Sequence, residues 1–257
     1  MALTNLLADE DHYISTMAME KLLSMKEEVQ SVIAEYQESH DPAIRNRIHQ
    51  LGSILKIRQS RSELVQNIKN SSISLWEGTL QINYHYDPKM EIGQVNHSMS
   101  SLSSHLPRKL LTAGLANFMR NENFSYAGED IVGPDLFLIE DVLLHRVGAP
   151  ILFCVIAKEL ARKRKLDIDI VLFRGQFCLL DKAKLLIDPT SGWKLIRLNS
   201  SQDYCLYQNF NIWLAILSQL FTSTMLEGRL QAIHRVAVLL SEICGNNIRN
   251  LPFPLGS

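Results

Sequence analysis

The sequence predicts an α+β fold that is predominantly α-helical, and three observations support this class. First, apolar residues recur at three- and four-residue spacing over residues 3–65, where the only glycine is Gly52 and the only proline is Pro42. Second, a helix over residues 149–165, apolar on every side through Ala157, precedes several short β-type runs. Third, amphipathic helical patterns return between residues 201 and 244. A buried helix followed by an antiparallel meander is typical of this class.

The composition argues against several classes of protein. The 257 residues carry 26 Lys and Arg against 27 Asp and Glu, and this balance disfavours a nucleic-acid-binding protein. The longest apolar run, residues 149–157, is far shorter than the ~20 residues that a membrane helix needs, so we expect no membrane association. The first residues lack the pattern of a signal peptide. Cysteine occurs at four positions without CxxC spacing, which predicts a cytoplasmic protein without disulfides or a zinc site; they are Cys154, Cys178, Cys205 and Cys244.

Residues 1–66 are predicted to form a helical region. Asp11 and Asp41 each precede an apolar periodic stretch, and an aspartate at that place can cap the open N–H groups of a helix. Pro42 suits the first helical position, where no N–H is needed. The two stretches lie about thirty residues apart, and the turns before them resemble those of HEAT-type repeats. A plain helical extension is the alternative.

The polar stretch 67–72 is the best candidate for a domain boundary, because it consists of Asn, Lys and Ser with a single apolar residue, Ile68. Residues 56–61, just before it, are basic. Such a segment could bind phosphate, but a solvated helix face is the better interpretation, because Glu63 follows and the overall charge is balanced.

Residues 74–199 are predicted to form a mixed α and β domain. Helical spacing is present at residues 92–102 and 109–118. It is also present at residues 73–80. This helix is ambiguous, because Leu80, Ile82, Tyr84 and Tyr86 alternate with other residues as they would in a strand. Another helix is predicted over residues 134–147, ended by the glycine that follows. After the buried helix, strands are predicted at residues 168–173, 176–180, 184–188 and 193–198.

Residues 201–246 are predicted to form a helical hairpin. Apolar periodicity indicates helices at residues 210–222 and 226–244, closed by Gly245. Their length and apolar spacing resemble one tetratricopeptide-type hairpin, although the characteristic glycine and tyrosine residues of that repeat are absent. The last residues, 247–257, contain two prolines and are predicted to form an extended tail.

Residues 115–189 resemble the transglutaminase-like core of SirB-type bacterial proteins. Arg146-Val-Gly-Ala-Pro-Ile is similar to the family's Arg-x-Gly-Ile-Pro-Ile, and Leu138-Ile-Glu-Asp-Val-Leu resembles its preceding helix. Gly175-Gln-Phe stands where the family has Gly-His-Phe, and Leu186-Ile-Asp-Pro matches its Leu-Ile-Asp-Pro. The resemblance implies a core like that of transglutaminases and papain-like cysteine enzymes, in which a buried central helix accompanies a small antiparallel sheet.

The resemblance also implies where the catalytic groups of such enzymes would lie. A cysteine at the start of the central helix is their nucleophile, a histidine on the next strand is the base, and an aspartate orients the histidine. These roles fall on Pro150, Gln176 and Asp188. Proline offers no nucleophile, and a glutamine amide takes up no proton near neutral pH, so two of the three roles are vacant. We expect Asp188 to accept a hydrogen bond from the Gln176 amide, which would preserve the geometry of the cleft.

Cys154 and Cys178 are the two fallback nucleophiles. Cys154 lies one helical turn after Pro150, and Cys178 lies two residues after Gln176, so each shares a face with a vacant position. A cysteine in an apolar run is more often a small core residue, and no histidine lies in the meander to activate either thiol. The eight histidines show no metal-type spacing and no cofactor motif is present, so we expect neither metal nor cofactor.

The vacant positions and the helical flanks together predict a non-catalytic protein, a pseudoenzyme, that binds another protein. A cysteine hydrolase or acyltransferase that uses Cys154 or Cys178 with an unconventional base is the alternative. A nucleic-acid scaffold using the basic residues 162–165 and 56–61 ranks last, because the net charge is close to zero. We therefore expect a protein partner and no nucleic acid.

Overall fold

The chain is mostly helical with a small antiparallel sheet, which confirms the predicted α+β class. The computed structural model describes residues 2–25, 28–128, 133–199 and 203–245. The chain divides into two compact units, residues 1–63 and residues 64–257. None of the helices in the described ranges is long and apolar enough to cross a membrane.

The described helices, in chain order, are α1 (Ala2–Asn5), α2 (His12–Ser24), α3 (Glu28–Tyr36), α4 (Pro42–Lys69), α5 (Leu75–Tyr86), α6 (Ile92–Ser104), α7 (Thr112–Asn121), α8 (Ile139–His145), α9 (Pro150–Lys163), α10 (Asn209–Glu227) and α11 (Leu230–Cys244). Single 3₁₀ turns occur at Leu6–Ala8 and Pro134–Phe137. The described strands are β1 (Ser125–Tyr126), β2 (Val147–Gly148), β3 (Ile168–Phe173), β4 (Gln176–Asp181), β5 (Leu185–Asp188), β6 (Lys194–Arg197) and β7 (Cys205–Leu206).

The first unit has an apolar core of its own. Aspartates cap two of its helices as predicted, because the Asp11 and Asp41 carboxylates accept hydrogen bonds from the N–H groups of Tyr13 and Ala43, both at 2.8 Å. The buried residues of this core come from the first 3₁₀ turn and from α2, α3 and α4; they include Leu7, Leu22, Val29, Ile48 and Leu51. Their three- and four-residue spacing within each helix puts them on one face.

Helix α4 runs through the first part of the polar stretch 67–72 and ends at Lys69. The division between the two compact units falls after Glu63, inside this helix. The next helix, α5, begins with a reciprocal pair of hydrogen bonds: Ser74 Oγ accepts the Glu77 N–H, and the Glu77 carboxylate accepts the Ser74 N–H. This capping box resolves the ambiguity over residues 73–86 in favour of a helix, because it satisfies the N–H groups at a helix start.

The region before the central helix differs from the single helix predicted over residues 134–147. A 3₁₀ turn occupies Pro134–Phe137, and α8 begins only at Ile139. The helix ends at Arg146, which has a left-handed φ of 61°, and the expected stop, Gly148, lies in β2 instead. Gly148 is needed for space, because a Cβ there would lie 2.6 Å from Val142 Cγ2.

Helix α9 is the centre of the second unit and is buried along most of its length. It packs on β3 and β4 of a five-stranded antiparallel sheet with strand order β6-β5-β4-β3-β7. In the register, Phe173 pairs with Gln176 and Leu179 pairs with Ile187. The strands β3 to β6 lie where the meander was predicted, whereas β7 forms a strand inside a segment predicted to be helical.

The C-terminal helices share the apolar core of the sheet and α9. Helix α10 continues past residue 222 to Glu227, so the predicted break at residues 222–226 is wrong. The chain turns at Gly228, whose φ of 73° favours glycine, and α11 follows. Trp213 on α10 lies against Gly78 on α5 and donates from Nε1 to the Leu75 carbonyl at 3.2 Å.

Candidate functional site

Pro150 is the first residue of α9, which is the place of the nucleophile implied by the resemblance. Ala149 precedes it in an extended conformation and makes no side-chain cap. The Ala149 N–H donates to the Leu136 carbonyl at 2.9 Å, which fixes the helix start to the 3₁₀ turn at Pro134–Phe137. Proline fits here because the first turn of a helix leaves its N–H groups without intrahelical acceptors.

Gln176 is the first residue of β4 and follows the tight turn at Arg174 and Gly175, which both have positive φ. Its side chain and Pro150 line the same cavity, of about 200 Å³. The other lining residues come from five different segments; they are Tyr126, Gly128, Leu136, Phe137, Ala149, Ile151, Gly175, Phe177 and Gln219. Among these described residues there is no thiol, imidazole, carboxylate or ammonium group, and the Tyr126 phenol is the one ionisable side chain that lines the cavity.

Asp188 ends β5 and organises the turn that follows. Its Oδ1 accepts hydrogen bonds from the N–H and the Oγ1 hydroxyl of Thr190, at 2.9 and 2.7 Å, and its Oδ2 accepts one from Ser191 Oγ at 2.7 Å. Within the described part of the chain, no hydrogen bond joins Asp188 to Gln176. The expected Gln176–Asp188 bond is therefore wrong, because the neighbouring hydroxyls and N–H already satisfy the carboxylate.

Aromatic packing fixes this turn to the central helix. Trp193 is fully buried with a φ of 63°, and its Nε1 donates to the Phe124 carbonyl at 2.7 Å. Phe153 of α9 packs between the rings of Phe124 and Trp193, at centroid distances of 5.8 and 5.7 Å. Arg120 donates to the carbonyls of Gly192 and Trp193. In the sequence, Trp193 begins the last predicted strand, and its position directly after a turn is the only local signal of its role.

Comparison with known families supplies the identification. The family model described as the transglutaminase-like superfamily matches residues 90–221, which is more than half of the chain. The chain belongs to the transglutaminase-like superfamily. Comparison with curated proteins and with solved structures finds no match. The matched residues run from just before α6 into α10 and include Pro150, Gln176 and Asp188.

Cys154 is a core residue of this transglutaminase-like domain. It lies in α9, is fully buried and does not line the cavity at Gln176. Burial raises the pKa of the Cys154 thiol well above its ordinary value, and Cys178 and Asp188 raise it further. The raised pKa favours the neutral thiol, and burial keeps this side chain away from solvent.

Cys178 is also buried, in a small apolar cluster with Val171 and Leu186. Neighbouring residues along β4 point to opposite faces, and Leu179 packs in the cluster that contains α9, so Cys178 faces away from that helix. Burial raises the pKa of the Cys178 thiol to about 12, with a contribution from Asp188. For both fallback nucleophiles, burial opposes formation of the stabilised thiolate that cysteine chemistry requires.

Among the described residues that line the cavity at Gln176, there is no histidine. His145, the nearest in sequence to Pro150, is exposed in the last turn of α8. The described residues contain no group of three or more His, Cys, Asp or Glu side chains that could hold a metal ion.

The basic end of α9 is engaged in structural contacts. Arg162 donates to the buried Glu159 carboxylate at 2.7 and 2.8 Å. Arg164 donates to the carbonyls of Ser103, Leu106 and Pro107, which lie at and after the end of α6. These contacts satisfy carbonyl groups near a helix end and hold α6 next to α9.

Proposed function

We propose that this member of the transglutaminase-like superfamily is non-catalytic and works as a protein-interaction module. The observation that carries the proposal is that Pro150 and Gln176, the positions of the missing nucleophile and base, line one cavity. The fold supports a cleft at this place, and the chemistry of the side chains in it does not support acyl transfer.

The side chains in the cavity explain why acyl transfer is not expected. Acyl transfer needs a nucleophilic atom that attacks a carbonyl carbon and a base that takes up the proton of the nucleophile. The ring of Pro150 carries no such atom, and the Gln176 amide nitrogen has no basic lone pair at neutral pH. Since the third group, Asp188, holds a turn through Thr190 and Ser191, it is not free to orient a base.

The finer assignment rests on the motifs. We propose a SirB-type bacterial protein in which residues 1–66 form HEAT-like hairpins and residues 201–246 form a tetratricopeptide-like hairpin. Motifs such as Arg146-Val-Gly-Ala-Pro-Ile and Leu186-Ile-Asp-Pro support the SirB-type assignment. The four cysteines are free thiols, which supports a cytoplasmic location.

The competing function is a cysteine hydrolase that uses Cys154 or Cys178, and thiol reactivity distinguishes the two. The test uses a Cys205→Ser, Cys244→Ser variant, because those two thiols are exposed and would dominate the signal. Iodoacetamide alkylation is followed by mass spectrometry from about pH 5 to about pH 9, on either side of the ordinary thiol pKa of roughly 8.5. We expect Cys154 and Cys178 to stay unmodified while the protein is folded.

A Pro150→Cys substitution in the same background is the positive control. Its thiol would lie at a helix N-terminus and next to the cavity, where the helix dipole lowers a thiol pKa, so we expect it to react below pH 8.5. Rapid alkylation of Cys154 or Cys178 below pH 7 would show a stabilised thiolate and would favour the hydrolase.

A further inference from the structure

A second cavity, of about 750 Å³, lies between the turn that joins α5 to α6 and the turn that joins α10 to α11. It shares no lining residue with the cavity at Gln176. Its walls are formed by residues 86–89 on one side and by residues 228–232 and Arg235 on the other. Pro150, Gln176 and Asp188 are not among the residues that line this second cavity.

Three cationic residues, Lys89, Arg229 and Arg235, line this cavity, and Asp87 is the acidic one among the described lining residues. Two further carboxylates, Glu140 and Asp141, interact electrostatically with Asp87 from outside the lining. Arg229 pairs with Glu227 at the neighbouring helix end. Arg235 donates to the Tyr86 carbonyl at 3.3 Å, and the Lys89 backbone N–H donates to the Asp87 carboxylate at 3.0 Å. In the described part of the chain, neither the Arg235 guanidinium nor the Lys89 ammonium group forms a salt bridge. Two cations at the rim are therefore available to an acidic group.

The start of α11 adds to this positive potential. Its cap residue, Arg229, makes no side-chain hydrogen bond to the helix, and the first intrahelical bond runs from the Ile233 N–H to the Arg229 carbonyl. The N–H groups of residues 230–232 come before the first donor of the helix and have no intrahelical acceptor, and all three residues line the cavity. Open N–H groups at a helix start favour an anion nearby.

Two exposed leucines lie on either side of the turn that joins α10 to α11. Leu226 in the last turn of α10 is 70% exposed, and Leu230 in the first turn of α11 is 80% exposed. Leu230 lines the cavity together with the cations, so this surface offers both apolar and charged groups.

We propose that this patch, formed by Lys89, Leu226, Leu230 and Arg235, docks an acidic segment of a protein partner. A carboxylate of the segment lies in the cavity near Lys89 and Arg235, and an adjacent apolar side chain covers Leu226 and Leu230. The recessed shape of the cavity favours a peptide segment over a flat anionic surface, because a single carboxylate side chain can enter it and reach the cations. The inference rests on the proposed interaction function and names the chemistry of the partner.

A displayed library of random peptides, selected on the full chain, tests the proposal. We expect the selected peptides to contain Asp or Glu next to a large apolar residue. By fluorescence polarisation, synthetic copies should bind about tenfold more weakly to the Leu226→Ser, Leu230→Ser variant and to the Lys89→Gln, Arg235→Gln variant. Raising the salt from about 50 mM to about 500 mM should weaken binding, because exposed ion pairs are screened.

The matched controls lie in the turn between α6 and α7, where Lys109 and the 63% exposed Leu111 offer the same side chains away from the cavity. Lys109→Gln and Leu111→Ser should leave peptide affinity unchanged, and thermal melting of every variant checks that it is folded. Failure to enrich any peptide, enrichment of peptides without acidic residues, or equal affinity for the patch variants would overturn the proposal.

Other occupants of the patch have their own signatures. Binding to vesicles that contain phosphatidylserine, lost in the leucine variant, would indicate a membrane surface and would contradict the proposal. A dimer seen by sedimentation velocity and lost in the same variant would indicate a second copy of the chain and would also contradict it. Thiol alkylation does not depend on the patch, so the two proposals fail separately. If no peptide binds but Cys154 and Cys178 stay unmodified, the docking site is refuted and the non-catalytic function is retained. If either thiol reacts rapidly, the non-catalytic function is refuted, regardless of the result with the peptides.

Discussion

At the scale of single residues, Asp188 and Gln176 differ in the number of hydrogen bonds that their side chains form. Asp188 accepts three hydrogen bonds from Thr190 and Ser191, and the turn it organises leads to the buried Trp193. Gln176 is half-buried, and within the described residues its side chain makes no hydrogen bond. Hydrogen bonds to a charged group contribute more to stability than a side chain that only lines a cavity.

The contrast between Asp188 and Gln176 gives a prediction on stability. Asp188→Ala should lower the free energy of unfolding by about 2 kcal/mol, because three donors lose a charged acceptor. Gln176→Ala should change it by less than about 0.5 kcal/mol, as for other partly exposed side chains without partners. Urea denaturation of both variants measures the difference, and equal losses would mean that Gln176 also has a structural role.

At the scale of elements, the packing of α5 on α10 depends on the absence of a side chain at Gly78. A Cβ at this position would lie 2.5 Å from ring carbons of the fully buried Trp213. Glycine in a helix interior ordinarily costs stability relative to alanine. Here the close approach of the two helices reverses that preference, because the Trp213 ring has no space into which it could move.

Gly78→Ala should therefore destabilise the protein by about 1–3 kcal/mol, the usual cost of overpacking a core, although alanine is the better helix former. Gly93→Ala in α6 is the matched control, because a Cβ there meets no atom within 4 Å. The control should be neutral or stabilise by up to about 1 kcal/mol. Urea denaturation measures both variants. If Gly78→Ala were as stable as the control, α5 and α10 would be less closely packed than the structure indicates.

At the scale of the whole molecule, the two compact units are joined within α4. Residues 56–60 of this helix are all exposed, which covers more than one full turn. A turn exposed on every side has no apolar contacts that oppose local opening. Lys56 and Arg58 thus lie on a solvated helix turn, in agreement with the interpretation favoured from the sequence, whereas Arg61 is half-buried.

Limited trypsin digestion should cut first after Lys56, Arg58 or Arg61, because a protease cleaves where a helix opens most easily. Arg162 and Arg164, which hold core carboxylate and carbonyl groups, should be protected. Replacing Lys56, Arg58 and Arg61 by Gln should remove the early cut. An unchanged digestion pattern in that triple variant would contradict the prediction.

The sequence by itself determined the class of the fold and the strands of the meander. Apolar periodicity and turn residues are local, so they fix β3 to β6 and α9 to within a few residues. The sequence motifs also led to the proposal that Pro150 and Gln176 stand at the nucleophile and base positions, roles that neither side chain can perform.

Only the tertiary structure decided where those positions meet and what surrounds them. Pro150 and Gln176 share a cavity with Gln219 of α10, Asp188 turns to Thr190 and Ser191, and Trp193 bonds to the distant Phe124. Some of these contacts join residues that are far apart in the chain. Others depend on which of several neighbouring donors forms the hydrogen bond to a carboxylate. Local periodicity carries no information on either, because both are set by the packing of α9, the sheet and α10 into one core.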